Sequence, residues 1–265
     1  MSRLAGIFWA LLFLAVPVLG VATFAVAPGY GIWLPKDVSV HGASIDSLFY
    51  FILALTGVVF VVTEVLLFWF MWKYDAAKAE KATYIQGSHT LEVVWTIIPA
   101  ATLLFIAIYQ MNAWADVKMR RPRMSPTVEV IARQFEWRLR YPGRDGQLGT
   151  PDDLHLVNDL HLPTDEDVLV QLKSMDVLHS FFLPHVRIKQ DAVPGMKIPV
   201  WFRATEPGAF DIVCAELCGW GHYKMKGRVT YEPRAAFDAW LERKYAEQEA
   251  AEPRPEPAAD VVKAD

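Results

Sequence analysis

The chain has 265 residues, of which 53% are hydrophobic and 21% are charged, and its mean hydropathy is +0.19. The formal net charge is −4, so the sequence offers no basic surface of the kind that binds nucleic acid. Three apolar runs, at residues 4–35, 48–72 and 93–115, contain a single charged residue, Glu64. A soluble core needs no uncharged run of that length, whereas a membrane span needs about 20 apolar residues. The composition therefore excludes a purely soluble protein.

The first apolar run, within residues 1–35, has two interpretations. Arg3, an apolar stretch and the small residues at 25–27 resemble a secretory signal peptide with its cleavage site. The stretch from Leu4 to Ala27 is also long enough to cross a bilayer as a retained helix. We favour the retained helix, and the signal peptide stays open as the alternative.

The second and third runs predict a hairpin of two transmembrane helices over residues 44–115. The loop between them carries Lys73, Lys78 and Lys81. Because cytoplasmic loops are enriched in Lys and Arg, this loop is predicted to lie in the cytoplasm. The chain after Trp114 is then periplasmic, and the protein is predicted to be a multi-pass protein of a bacterial inner membrane.

Residues 124–232 have the pattern of a β-domain. Residues 127–141 alternate between apolar and polar types, and shorter strands are predicted at 168–173, 198–203, 209–213 and 228–231. Short strands separated by Pro and Gly indicate a β-sandwich or barrel. A helix is predicted over 233–249, with Pro233 in its first turn. The tail at 250–265 is rich in Ala, Glu and Pro and is predicted to be disordered.

Four side chains that bind soft metals lie within twelve positions: Cys214, Cys218, His222 and Met225. Sulfur and imidazole favour copper or zinc, but a structural zinc site uses Cys and His and has no need of Met. A mononuclear blue-copper site uses one Cys, which leaves the second thiolate without a role. Two thiolates that bridge two coppers account for both cysteines. Each copper then needs two further ligands.

A second histidine ligand is expected from upstream in the soluble part. His179 lies in an apolar segment that can bury an imidazole beside a metal. His155 and His161 lie in a polar region and are predicted to be solvated in a loop. His185 follows a proline and is the weaker candidate.

A disulfide between Cys214 and Cys218 is the structural alternative to a metal centre. An oxidising compartment would permit it, but so short a loop yields little entropic stabilisation. The nearby His222 and Met225 favour copper over the disulfide.

The motifs resemble those of subunit II of the haem–copper cytochrome c oxidases, in a bacterial form without a fused cytochrome c domain. The Cys-x-x-x-Cys-x-x-x-His-x-x-Met signature is matched at 214–225, and Asp-Val-Leu-His-Ser-Phe is present at 176–181. The segment Lys-Gln-Asp-Ala-Val-Pro-Gly follows at 189–195, and Trp-Thr-Ile-Ile-Pro lies at 95–99. The likeness extends over residues 46–237. It implies a membrane-anchored all-β protein, with transmembrane helices followed by a cupredoxin-like Greek-key β-sandwich.

The resemblance implies a binuclear copper centre, CuA, with two copper ions. The ligand residues would be His179, Cys214, Glu216, Cys218, His222 and Met225. The two thiolates would bridge the ions. The first histidine and the methionine would complete one copper, and the second histidine and the backbone carbonyl of the glutamate would complete the other.

Two carboxylates have further roles by resemblance. The side chain of Glu216 resembles a ligand to Mg or Mn at the interface with the catalytic subunit. Glu92 resembles the carboxylate at the cytoplasmic mouth of a proton pathway, and an ordinary interfacial Glu at a helix end is the alternative.

The electron-entry segment departs from the family pattern of two tryptophans. Phe135 replaces the outer ring, whereas Trp137 is retained. Arg138 and Arg140 stand where the family often has acidic residues. We therefore expect a donor other than a typical basic cytochrome c, because charge complementarity guides such partners.

The resemblance implies that the chain accepts electrons from a periplasmic donor, a cytochrome c or a cupredoxin. It would pass them to a haem of catalytic subunit I, where oxygen is reduced to water and protons are translocated. The oxygen chemistry lies on that other chain, and further oxidase subunits are expected partners. The alternatives are the CuA subunit of a nitric oxide reductase and a membrane-tethered copper-binding protein.

Overall fold

The computed structural model describes residues 3–74, 81 and 84–251. The chain divides into two compact units, one comprising Met1–Lys36 and Ala43–Ala115 and the other Asp37–Gly42 and Asp116–Asp265. Lys78 and most of the predicted disordered tail lie outside the described residues.

The first unit is helical. Its helices are α1 (Arg3–Val26), α2 (Gly42–Lys73) and α3 (His89–Lys118), the last of which extends into the second unit. Within the described residues, these three are long and apolar enough to cross a membrane, with mean hydropathies of 2.4, 2.5 and 2.1. The prediction of membrane-spanning helices followed by a soluble domain is confirmed.

The second unit is a sandwich of two five-stranded sheets. The strands are β1 (Val128–Arg133), β2 (Glu136–Tyr141), β3 (Leu154–Val157), β4 (Asp159–Pro163), β5 (Val168–Ser174), β6 (His179–Leu183), β7 (Ile188–Ala192), β8 (Ile198–Phe202), β9 (Gly208–Cys214) and β10 (Lys226–Glu232). The sheet orders are β3-β2-β1-β5-β8 and β4-β10-β9-β6-β7. The pairs β1–β5 and β4–β10 are parallel and the other pairs are antiparallel, so both sheets are mixed.

Alternating side chains of both sheets form the core between them. In β2, Trp137, Leu139 and Tyr141 are buried, while the residues between them remain partly exposed. The Tyr141 hydroxyl donates to the carbonyl of His161 at 2.9 Å and accepts from the N–H of the same residue at 2.8 Å. This exchange ties β2 of one sheet to β4 of the other.

The placement of His161 corrects the sequence expectation of a solvated loop histidine. It lies in β4, and its side chain is only 13% exposed. Its ring stacks on Trp240 with centroids 4.1 Å apart, and Nδ1 forms a hydrogen bond with Glu232. The expectation failed because burial depends on β10 and on the C-terminal helix, which are distant in sequence. His155 lies in β3 and is exposed, on a strand that the pattern did not reveal.

The C-terminal helix α4 (Arg234–Ala251) follows Pro233. It buries Phe237, Trp240 and Tyr245, and the Tyr245 hydroxyl donates to the carbonyl of Pro142 at 2.6 Å. The helix therefore closes one side of the sandwich core.

The two arginines that stand where the family often has acidic residues are both paired. Arg138 Nε lies 2.8 Å from Glu136 Oε1. Arg140 forms an ion pair with Glu129, which is 0% exposed, and its Nε lies 3.4 Å from Asp153. The pairing of Arg140 offsets the cost of burying the Glu129 carboxylate.

Candidate metal centre

Two neighbouring strands bring the candidate metal ligands together. His179 is the first residue of β6, and Cys214 is the last residue of β9. The strands pair so that Phe181 lies opposite Cys214. The loop from β9 to β10 carries the remaining candidates, and the N–H of Cys214 donates to the carbonyl of Met225 at 3.2 Å. This hydrogen bond joins the two ends of the β9–β10 loop.

The two thiols face each other without a covalent bond. Sγ of Cys214 lies 3.7 Å from Sγ of Cys218, whereas a disulfide bond is about 2.05 Å long. Both cysteines are free and buried. The structure therefore does not contain the alternative disulfide, and both sulfur atoms can bind metal.

Two further donor atoms lie beside Cys214. Nδ1 of His179 is 4.0 Å from Sγ of Cys214. The carbonyl oxygen of Glu216 is 3.2 Å from the same sulfur. The ligand atoms of His179, Cys214 and Cys218 all lie within 4.8 Å of one another. A backbone oxygen thus joins the side-chain donors.

Two donors also lie beside Cys218. Its sulfur is 3.7 Å from Nδ1 of His222 and 3.8 Å from Sδ of Met225. Two atoms bound to one metal at about 2.0–2.3 Å in tetrahedral geometry lie about 3.3–3.8 Å apart. The six residues singled out in the sequence therefore present donor atoms at about the spacing that metal ions bridge.

The chemistry of this donor set suits copper. His179, Cys218 and Met225 are 0%, 3% and 1% exposed, and Cys214 is 9% exposed. Sulfur, imidazole and thioether donors in a site with little water access favour copper over Mg or Ca.

Two protein-family models match the chain. "Cytochrome C oxidase subunit II, periplasmic domain" covers residues 127–230, and "Cytochrome C oxidase subunit II, transmembrane domain" covers residues 27–113. An alternative cytochrome c oxidase subunit 2 of Bradyrhizobium diazoefficiens is 31% identical over 236 residues, covering 80% of this chain and 84% of that protein. The chain belongs to the cytochrome c oxidase subunit II family. The donor set fits the copper centre of an oxidase CuA subunit.

Further relatives match the whole chain or its soluble domain alone. A cytochrome c oxidase subunit 2 of Thermostichus vulcanus is 26% identical over 302 residues, covering 93% of this chain and 88% of that protein. The crystal structure of the periplasmic domain of subunit II of cytochrome oxidase of Bradyrhizobium japonicum is 26% identical, with a TM-score of 0.42. It covers 48% of this chain and 97% of that chain. As in this family, a membrane part precedes a C-terminal soluble domain.

The two thiols of this subunit II differ in acidity. Burial opposes ionisation of Cys214, but hydrogen bonds with His179 and with backbone groups at Glu216 and Ser180 outweigh it and lower the pKa of the thiol to about 6. Burial and the neighbouring Cys214 raise the pKa of Cys218 to about 12. Metal binding requires the thiolate form of both cysteines, so it releases the protons that the thiols hold.

Asp176 orients His179. Its Oδ1 lies 2.8 Å from Nε2 of His179 and accepts from the N–H of Val177 at 2.7 Å. Its Oδ2 accepts from the N–H of Gln134 at 2.8 Å. Burial opposes ionisation, but these hydrogen bonds outweigh it and hold the pKa of Asp176 below its ordinary value. With Nε2 engaged, Nδ1 is left facing Cys214, where it is available as a metal donor.

We expect Asp176→Asn to weaken copper binding by about 10–100-fold, since partners of a ligating histidine have effects of that size. The amide lacks the charge that holds the imidazole. Chelator competition on the purified full-length protein measures the affinity. Asp152→Asn is the matched control, because the hydrogen bonds of Asp152 go to Thr150 and Asp145. Equal losses in both variants would show that Asp176 has no specific role.

The rings of the predicted electron-entry segment are not freely exposed. Trp137 is 0% exposed and packs against Phe181 with ring centroids 5.4 Å apart. Phe135 is half-buried. Trp220, which the sequence analysis did not single out, is 77% exposed. Its exposure could have been predicted from the sequence, because Trp220 lies between two glycines in the ligand loop, where no strand buries a large ring.

The predicted proton-entry carboxylate lies away from this centre in the sequence. Glu92 is exposed in the first turn of α3, one turn before Trp95. Its N–H donates to the carbonyl of Ser88 at 3.0 Å. The position is a helix start, which suits an acidic side chain electrostatically.

Proposed function

We propose that this chain holds a binuclear copper centre and is the electron-entry subunit of a haem–copper oxidase. The observation that carries the proposal is the cluster of six donor atoms around two free, facing thiols, with successive contacts of 3.2–4.0 Å. A single copper ion does not bind two thiolates, two imidazoles, a thioether and a carbonyl together. Two copper ions that share the thiolates would bind all six donors.

The division of the donors between the two ions is taken from the resemblance to the family. Cys214 and Cys218 would be the bridging ligands. Nδ1 of His179 lies beside Cys214 and Nδ1 of His222 lies beside Cys218. His179 and Met225 would complete one copper, and His222 and the backbone carbonyl of Glu216 would complete the other.

A copper pair held by these residues would supply one-electron transfer between a donor and a haem of the catalytic subunit. The residues of this chain would hold the pair in a nearly fixed arrangement. Asp176 keeps the His179 ring in place, and the pairing of β6 with β9 fixes His179 relative to Cys214. Fixed ligands keep the rearrangement on electron transfer small, and burial of the sulfurs excludes water.

The remaining roles are proposed from the resemblance to the family. We propose that the soluble domain lies on the periplasmic side and receives electrons from a one-electron carrier, a cytochrome c or a cupredoxin. Oxygen reduction and proton translocation then belong to the catalytic subunit. Glu216 contributes its carboxylate to a Mg or Mn ion at the subunit interface, and Glu92 serves as a proton-entry carboxylate.

Copper content and EPR of the purified full-length chain test the proposal. We expect two coppers per chain, and a multiline hyperfine pattern from one electron shared by two equivalent copper nuclei. A colourless protein, or one that binds a single copper, would overturn it.

We expect Met225→Leu to retain most of the copper but to shift the redox potential, since a thioether is a weak ligand whose main effect is on potential. Leucine has a similar volume, so the buried site keeps its packing. Redox titration followed by the visible spectrum measures the shift. Met196→Leu, at an exposed position outside the ligand loop, is the control and should leave the potential unchanged. An unshifted potential in Met225→Leu would exclude the thioether as a ligand.

A further inference from the structure

An exposed aromatic ring lies in the loop that carries the metal ligands. Trp220 is two residues from Cys218 and two from His222, and its side chain is 77% exposed. Trp137 is 0% exposed and Phe135 is half-buried. Of these three rings near the donor set, only Trp220 is freely available to an approaching protein.

The ring of Phe135 packs against the ring of Trp220. The two rings meet edge to face with centroids 5.6 Å apart. A Cβ at Gly221 would lie 2.5 Å from the Phe135 ring, and one at Gly219 would lie 3.2 Å from it. The glycines therefore let Phe135 pack directly against the backbone on both sides of Trp220. The side chain of Gln134 anchors the same loop by donating to the carbonyl of Cys218 at 2.6 Å.

A lysine ammonium lies over this ring. Nζ of Lys224 lies 4.6 Å from the centre of the Trp220 ring. Arg133, two residues before Phe135, is exposed. Neither cation forms an ion pair with any residue that the structure describes. An exposed tryptophan with a lysine ammonium over its ring is suited to the centre of a protein interface, and the positive charge favours a partner with an acidic surface.

This inference rests on the proposed function. We propose that Trp220 is the electron-entry residue, and that it docks a one-electron carrier protein whose redox centre is exposed at an apolar patch bordered by carboxylates. The donor is oxidised by one electron and the copper centre is reduced by one electron. No bond is formed or broken, and no proton is transferred. From Trp220 the electron reaches Cys218 through two peptide units, or passes by way of the Phe135 ring.

Rapid-mixing reduction of the intact oxidase complex tests the proposal, with a reduced acidic cytochrome c and a reduced basic cytochrome c as probes. We expect the acidic probe to react faster at low salt. Trp220→Leu should lower its second-order rate constant by about tenfold or more, the size expected for a central interface tryptophan. Trp220→Phe should recover most of the rate, because an aromatic ring remains in contact with Phe135.

Tyr223→Leu is the matched control. Tyr223 is 75% exposed in the adjoining turn, but no ring contact joins it to Phe135. We expect its rate constant to stay within about twofold of the wild type, as for interface residues outside a hot spot. Equal losses in Tyr223→Leu and Trp220→Leu would overturn the assignment, as would an unchanged rate in Trp220→Leu.

Binding to the copper-free full-length chain provides a readout that does not depend on turnover. We expect the acidic cytochrome to bind more weakly to Trp220→Leu and to Lys224→Glu than to the wild type. Tighter binding of the basic cytochrome to the wild type would overturn the proposed partner. Copper content separates the two proposals. If the wild-type chain binds no copper pair, the proposed function fails, whereas an unaffected rate in copper-loaded Trp220→Leu contradicts only the electron-entry assignment.

Discussion

Replacement of Cys218 by serine is expected to remove the shared-electron EPR signal and to lower the copper content from two ions per chain to at most one. Sγ of Cys218 contacts three other donor atoms, those of Cys214, His222 and Met225, at 3.7–3.8 Å. A serine hydroxyl remains protonated at neutral pH and is a harder ligand, so it does not replace a bridging thiolate. Metal analysis and EPR of the purified full-length variant measure both effects.

Ala215→Ser is the matched control for this substitution. It introduces the same side chain into the same loop, but it removes no donor atom. We expect the control to retain two coppers and the wild-type signal. Survival of the shared-electron signal in Cys218→Ser would show that Cys218 is not a bridging ligand.

The membrane helices were predictable because length and apolar composition alone decide whether a segment can cross a bilayer. Most donors of the centre were visible for a similar reason, since Cys214 to Met225 lie within one loop and their spacing is local. The position of His179 was different. Its apolar neighbours indicated burial, but its approach to Cys214 depends on the pairing of β6 with β9, two strands more than thirty residues apart.

The features that escaped the sequence analysis depend on tertiary contacts. Strands β3, β4, β6 and β7 were not predicted, and in β6 and β7 burial does not alternate along the strand, so the period-two signal of a half-buried strand is missing. The burial of His161 requires Trp240 and Glu232. The pairing of Arg140 requires Glu129 on the neighbouring strand. No local pattern identifies such partners.

The aromatic rings illustrate how resemblance and structure differ. The family pattern directed attention to Phe135 and Trp137, since these positions form the usual electron-entry segment. Burial depends on the packing of the whole sandwich. Trp137 is a core residue, and Phe135 packs against Trp220. The exposed ring is Trp220, in the ligand loop itself.

The burial of Trp137 leads to the largest stability effect that we expect in the soluble domain. Trp137→Ala should lower the free energy of unfolding by about 3–5 kcal/mol, the cost of emptying a large core position. The indole is 0% exposed, and it lies 5.4 Å from the Phe181 ring and 6.3 Å from the His179 ring. The cavity would adjoin His179, so copper retention should fall as well. Denaturant unfolding of the full-length chain in detergent, followed by near-UV circular dichroism, measures the stability.

Two further variants separate packing from the loss of a tryptophan as such. Trp137→Phe should cost much less, because it retains a buried ring and removes an indole N–H that has no hydrogen-bond partner among the described residues. Trp220→Ala removes the same side chain from a position that is 77% exposed, and it should change stability by no more than about 0.5 kcal/mol. If Trp220→Ala destabilised the domain as much as Trp137→Ala, the two rings would not differ in burial as described. The core role of Trp137 and the surface role of Trp220 would then both be wrong.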